Sequence, residues 1–321
     1  MGRLDLDRIR AAVRSIDPVF LDSPQYDARP LSEAVGCSLT LKVETMNPVR
    51  SFKGRGTDTV VARLHAGDPG SVVCASAGNL GQALAYSAAR RQIAATVFAA
   101  ETANPLKIER MRALGATVHL EGEDIEVPRR LAQAHAEDGG AHLVEDSLDV
   151  GTCEGAATIA LELMDAPRAF DVVLVALGGG ALASGVGSVM RELSPATDVI
   201  AVQPMGAPAM TLSWRHRRVI TTETIATIAD GVAGRFPIPE VLEDLLEVVD
   251  DAVLVGEDSI IRAMWLLFEL AGLVVEPSAA LGVAAILEDP DRFRDRTVAT
   301  IICGSNVAPG DFRRWVSDAP R

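Results

Sequence analysis

The sequence predicts an α/β protein made of two open, mostly parallel, twisted sheets, each flanked by helices. Three observations carry this. Short apolar runs alternate with stretches of helical periodicity along most of the 321 residues. The runs are continuously apolar rather than alternating, as strands are when helices cover both faces of a parallel sheet. Gly-containing turns follow several of them and open helices, the place where open α/β sheets bind ligands.

The elements follow in order. "MGRLDLDRIRAAVRSI" reads as an amphipathic helix and lacks the apolar core and cleavage site of a signal peptide. "SLTLKVE" is a strand, with a helix over 54–66. "SVVCAS" is a strand leading into the helix "GQALAYSAARR". "AATVFAA", "ATVHLEG" and "HLVED" continue the series, with helices near 105–114 and 126–137. "DVVLVAL", "DVIAVQ", "AVLVG" and "TVATIICG" complete it. The turn-rich "AEDGGAH" (136–142) and "EDSLDVGT" (145–152) give the best internal boundary. The expected division is a small domain over 67–148 and a large one from 1–66 and 149–321. The tail "FRRWVSDAPR" adds no further domain.

Composition narrows the function. The chain is 48% hydrophobic and carries a formal charge of −14, so nucleic acid and anionic membrane surfaces would repel it. No apolar run reaches the ~18 residues that a membrane span needs. Cys37, Cys74, Cys153 and Cys303 are widely spaced and form no CxxC pair, which argues against a disulfide framework or zinc knuckle and for a reduced, cytoplasmic protein.

Three segments carry chemistry. In "VVLVALGGGALASG" (172–185), Gly178, Gly179 and Gly180 stand together at a strand end before a helix, although each carries an entropic penalty of about 0.5–1 kcal/mol. A tight turn needs one or two; three suggest backbone N–H groups converging on an anion at a helix N-terminus. Neither the P-loop nor the dinucleotide spacing is present. In "CASAGNLGQALAYSA" (74–88), Ser76, Gly78 and Asn79 suit a small carboxylate, though Ser and Asn are also common helix caps. In "NPVRSFKGRG" (47–56), Lys53 stands between Phe52 and Gly54 just after a strand. A lone lysine is ordinarily a surface residue, but an amine between apolar walls can attack a carbonyl. A reactive lysine, a phosphate cradle and a carboxylate loop together are what pyridoxal phosphate and an amino-acid substrate require.

These segments resemble a known family. "LKVETMNPVRSFKGRG" looks like the lysine signature of the serine/threonine dehydratases, fold-type II (tryptophan synthase β-like) pyridoxal-phosphate enzymes; "SAGN", "GGGAL", "IADGVA" (228–233) and "CGSN" (303–306) match further family segments in order. The resemblance implies pyridoxal 5'-phosphate in a cleft between a large and a small domain. Lys53 would be the catalytic residue, bonded to the cofactor through a Schiff base, with Phe52 flanking the ring. Asn79 would reach the ring's phenolic oxygen, and Ser76, Ala77 and Gly78, with Asn79, would bind the substrate carboxylate. Gly178, Gly179, Gly180 and Ala181 would hold the phosphate, and Cys303 would face the pyridine nitrogen.

The sequence departs from the family pattern at several places. Ala181 replaces a fourth glycine, Leu80 a frequent histidine, and Cys303 a frequent serine. Ala77 stands where racemases carry the serine that reprotonates Cα. Gln203 and Ala209 stand at two acidic positions of the racemases' divalent-cation site, so no metal is expected. The implied activity is elimination of water from a small L-β-hydroxy amino acid (threonine, serine or 3-hydroxyaspartate) to a 2-oxo acid and ammonia. Alternatives are a cysteine synthase-like β-replacement enzyme, a racemase, or a non-enzymatic cofactor- or amino-acid-binding protein; the yellow colour of a lysine-bound cofactor would argue against the last. Arg50, Arg55 and Arg235 are candidates to pair with a distal substrate carboxylate. A homo-oligomer, most often a dimer in this family, is expected. Because no effector module follows "CGSN", isoleucine should not inhibit the purified protein in a rate assay.

Overall fold

The structure is a computed structural model and describes residues 2–65 and 70–317. Ten strands form two sheets: β1 (Gln25–Asp27), β2 (Ser38–Val43), β3 (Ser71–Ala75), β4 (Ala94–Ala99), β5 (Thr117–Leu120), β6 (His142–Leu143), β7 (Val172–Ala176), β8 (Asp198–Pro204), β9 (Asp251–Val255) and β10 (Thr297–Ile302). The larger sheet has the order β1-β2-β10-β7-β8-β9 and the smaller β5-β4-β3-β6. Every pairing is parallel except that of β1 with β2. The apolar runs of β7, β8 and β10 are almost wholly buried, because helices cover both faces of the sheet.

Three differences from the sequence reading have local causes. The first helix is shorter, Leu6–Ala12, because Asp5 caps it by accepting from the backbone N–H of Arg8. β1 was not anticipated: its three residues are too few for a period, and its pairing with β2 alone defines it. "HLVED" is a strand only over His142–Leu143; the Val144 N–H still donates to the Val73 carbonyl, but Ser147, at φ +70°, turns the chain away.

The two sheets meet through helices packed backbone to backbone. A β-carbon at Gly155, in the helix Val150–Leu163, would lie 2.3 Å from the Arg55 carbonyl oxygen. One at Gly185, in the helix Ala181–Leu193, would lie 2.5 Å from the Cys153 carbonyl oxygen. Only glycine permits these approaches.

Candidate active site

The loops that leave β3, β7 and β10 at their carboxyl ends converge on a cleft of about 390 Å³. Phe52, Lys53, Ser76 to Asn79, Gly178 to Ala181 and Cys303 all line it. The structure therefore brings together the lysine segment, the carboxylate loop, the glycine loop and Cys303, as the sequence implies.

Lys53 owes its place to a short clasp between chain segments. The Phe52 N–H donates to the Cys303 carbonyl at 3.0 Å, and the Ser305 N–H to the Arg50 carbonyl at 2.9 Å. Asn47 shapes the preceding loop by accepting from the Val49 N–H and donating to the carbonyls of Glu44 and Ser51. Lys53 then begins the helix Lys53–His65, and Gly54 beside it is needed because a β-carbon there would lie 2.2 Å from the Phe20 ring. The Lys53 amine sits 4.6 Å from the Phe52 ring centroid and 2.5 Å from Asp146 Oδ2.

The glycine loop starts the helix Ala181–Leu193 with no side-chain cap. Gly180 has φ +109°, and a β-carbon there would lie 2.4 Å from Val241 Cγ1, so both conformation and space demand glycine. Ala181 differs from the expected free amide: its N–H donates to Ser147 Oγ at 2.9 Å. In the carboxylate loop, Gly78 caps the helix Asn79–Arg90 without a side-chain bond, and its own N–H donates to Ser76 Oγ. Leu80 and Ala77, which also line the cleft, have only apolar side chains.

Asn79 links the two sheets. Its Nδ2 donates to Glu276 Oε1 and its Oδ1 accepts from Asn306 Nδ2, each at 2.8 Å. Full burial raises the Glu276 carboxyl above the ordinary glutamate value; Lys107 opposes this and Asp230 adds to it. Burial likewise holds Cys303 well up, so it remains a neutral thiol.

The sequence reading missed five polar residues of the cleft: Lys107, Asp146, Asp230, Glu276 and Ser278. Lys107 pairs with Asp230 at 2.6 Å, and Ser278 Oγ is buried without a partner among the described residues. A glutamate inside the apolar run "LVVEPSAALGVAAIL" was a usable signal; the others look like ordinary helix or turn residues.

The three arginine candidates do not line the cleft. Arg55 is wholly buried among Glu44, Glu162 and Thr158, which excludes it as a substrate contact. Arg235 reaches Asp124 at 3.6 Å, and Arg50 is exposed. At the suspected cation position, Gln203 Oε1 accepts from the Thr211 N–H at 2.9 Å and Ala209 begins a helix.

Comparison with known proteins decides the family. The model of the family described as "Pyridoxal-phosphate dependent enzyme" matches residues 16–304. The chain belongs to this family. The enzyme is 35% identical over 305 residues to the L-threonine ammonia-lyase of Thermotoga maritima, covering 95% of this chain and 76% of that one. It superposes on a T.th. threonine deaminase with a TM-score of 0.90 at 32% identity, over 95% of this chain and 99% of that one. Maize serine racemase gives 0.91 at 28% identity, over 97% and 96%. The fold is that of the fold-type II serine/threonine dehydratases, and the cofactor is pyridoxal 5'-phosphate.

The cleft suits this cofactor. It offers an amine among apolar and aromatic walls, a glycine cradle at a helix N-terminus and the buried, unpartnered Ser278 hydroxyl. Among the described residues no helix is long and apolar enough to cross a membrane.

Proposed function

We propose that this enzyme is an ammonia-lyase that eliminates water from a small L-β-hydroxy amino acid, yielding a 2-oxo acid and ammonia. The observation that carries the reading is the convergence of the Lys53 amine, the glycine loop and the carboxylate loop in one cleft. Similarity to a threonine ammonia-lyase supports the reaction class. Pyridoxal phosphate, when bound, supplies the electron sink that makes the substrate's Cα–H acidic.

The chain's own residues would do the rest. Lys53 Nζ takes the Cα proton. The amides of Gly178 to Gly180 hold the phosphate; the Ala181 N–H, engaged by Ser147, braces the loop. The Ser76–Asn79 loop fixes the substrate carboxylate at the start of its helix. Asn79, held at both ends of its amide, has one Nδ2 proton left for the ring's phenolic oxygen. Phe52 flanks the ring. Cys303, neutral, would face the pyridine nitrogen and would leave the ring less electron-withdrawing than a carboxylate, which would favour elimination over transamination. We take 67–148 as the small domain and 1–66 with 149–321 as the large one, supported by the confinement of β3 to β6 within 71–143. A reduced, cytoplasmic setting is supported by four buried, unpaired cysteines. Release of 2-oxo acid from a panel of threonine, serine and 3-hydroxyaspartate tests the function; no release from any of them would sink it.

Racemisation is the second reading, favoured by the likeness to serine racemases. It needs a proton donor across Cα from Lys53. Ala77 carries only a methyl group, and Asp146 touches the Lys53 amine itself. Metal dependence is likewise disfavoured, since the Gln203 carbonyl is committed to Thr211 and a hard cation needs oxygen ligands. Partly converted L-serine or L-threonine should therefore contain no D-isomer by chiral chromatography, and the rate should be unchanged by EDTA. Accumulating D-isomer, or activity lost on chelation, would contradict this.

A further inference from the structure

Asp146 brings a carboxylate into the cleft beside the catalytic lysine. It stands on the turn between β6 and the helix Val150–Leu163. Its Oδ2 lies 2.5 Å from Lys53 Nζ, while its Oδ1 is buried without a hydrogen-bond partner among the described residues. The same Oδ2 would be 3.6 Å from a β-carbon at Gly179, which sets it between the lysine and the glycine loop. The side chain is 28% exposed, so a ligand in the cleft can reach it.

Among the described residues, the charge of Asp146 is balanced only by the Lys53 ammonium. While that nitrogen is bonded to the cofactor, and again when Lys53 is released as the neutral base that takes the Cα proton, Asp146 has no ammonium partner, and a partly buried carboxylate needs another donor. Other groups in the cleft are committed: Lys107 to Asp230, and Glu276 to Asn79 and Asn306. A carboxylate only accepts hydrogen bonds, so the missing partner must donate one. A hydroxyl or ammonium on the substrate's Cβ does so. A β-carboxylate does not, and meets a cleft in which Asp146, Asp230 and Glu276 outnumber Lys53 and Lys107 and which no arginine of the described residues lines.

We propose that Asp146 is a specificity-determining residue that reads the β-substituent, accepting a hydrogen bond from a hydroxyl or ammonium and rejecting a carboxylate. Resting on the proposed ammonia-lyase reading, this narrows the substrate class to serine, threonine and other small amino acids with a donor on Cβ, and excludes 3-hydroxyaspartate.

The test is equilibrium binding of two non-eliminating analogues, L-alanine and L-aspartate, to the holoenzyme, read from the cofactor's absorbance. L-Aspartate should bind at least about tenfold more weakly than L-alanine, because opposed like charges in a confined site repel strongly. Asp146→Asn, which keeps shape and removes charge, should close most of that gap, and Asp146→Ala should do the same. Equal affinities in the unmodified enzyme, or a gap unchanged in both variants, would overturn the proposal. If no hydroxy amino acid yields a 2-oxo acid, the proposed reaction falls, while the ratio of affinities still reports on Asp146.

Discussion

Lys53→Ala should lower 2-oxo acid release by at least about 10³-fold, the scale on which a positioned proton-transfer group acts. The variant loses the amine that bonds the cofactor and the base that meets the substrate's Cα–H, and no other lysine of the described residues is placed to replace it. Lys107 also lines the cleft, but Asp230 holds it at 2.6 Å. The glycine loop is untouched, so the variant should still retain cofactor through the phosphate. Borohydride reduction of the unmodified enzyme should place the pyridoxyl label on the peptide containing Lys53. Label on another lysine, or near-normal turnover by Lys53→Ala, would remove the basis of the proposed function.

Much of this site could be read from sequence because its parts lie at strand ends. Gly178 to Gly180 follow a run as apolar as β7, and Ser76 to Asn79 follow β3; a backbone loop that binds through N–H groups leaves its mark as consecutive small residues. Side chains that act through long-range pairing leave no such mark. Asp146 reaches Lys53 across 93 positions, and Asn79 reaches Glu276 across 197. In the sequence Asp146 belongs to "EDSLDVGT", which resembles any solvated turn. Arg55 misleads in the other direction, since its place beside Lys53 suggests the substrate while Glu162, 107 positions away, draws it into the core.

Arg55→Ala should destabilise the fold by about 3–5 kcal/mol, the range for removing one member of a buried ion pair. Its guanidinium bonds both oxygens of Glu44 at 2.8 Å and both of Glu162 at 2.5 and 2.9 Å. Lys42, also buried, meets Glu162 at 2.5 Å, so two cations balance two carboxylates. Alanine leaves one cation for both. Burial by itself would raise the Glu162 carboxyl, but Arg55 and then Lys42 outweigh it and hold it below its ordinary value of 4.5. A carboxyl depressed by folding stabilises the native state above its unfolded pKa, and that contribution fades as pH falls through the folded one. Urea unfolding at neutral pH should therefore show the full loss, and the gap between the two proteins should shrink as acid protonates Glu162. A variant as stable as the parent at neutral pH would mean that the network contributes nothing net.

The glycine contacts between helices decide what fixes the reach from lysine to phosphate cradle. Lys53 begins one helix, Ala181 begins another, and Val150–Leu163 lies against both by main chain at Gly155 and Gly185. That reach is measured out in peptide planes, with no side-chain rotamer in the chain of contacts. One added methyl at a contact glycine would wedge the helices apart, and a shift of about 1 Å at reacting atoms is enough to cost a catalyst most of its rate.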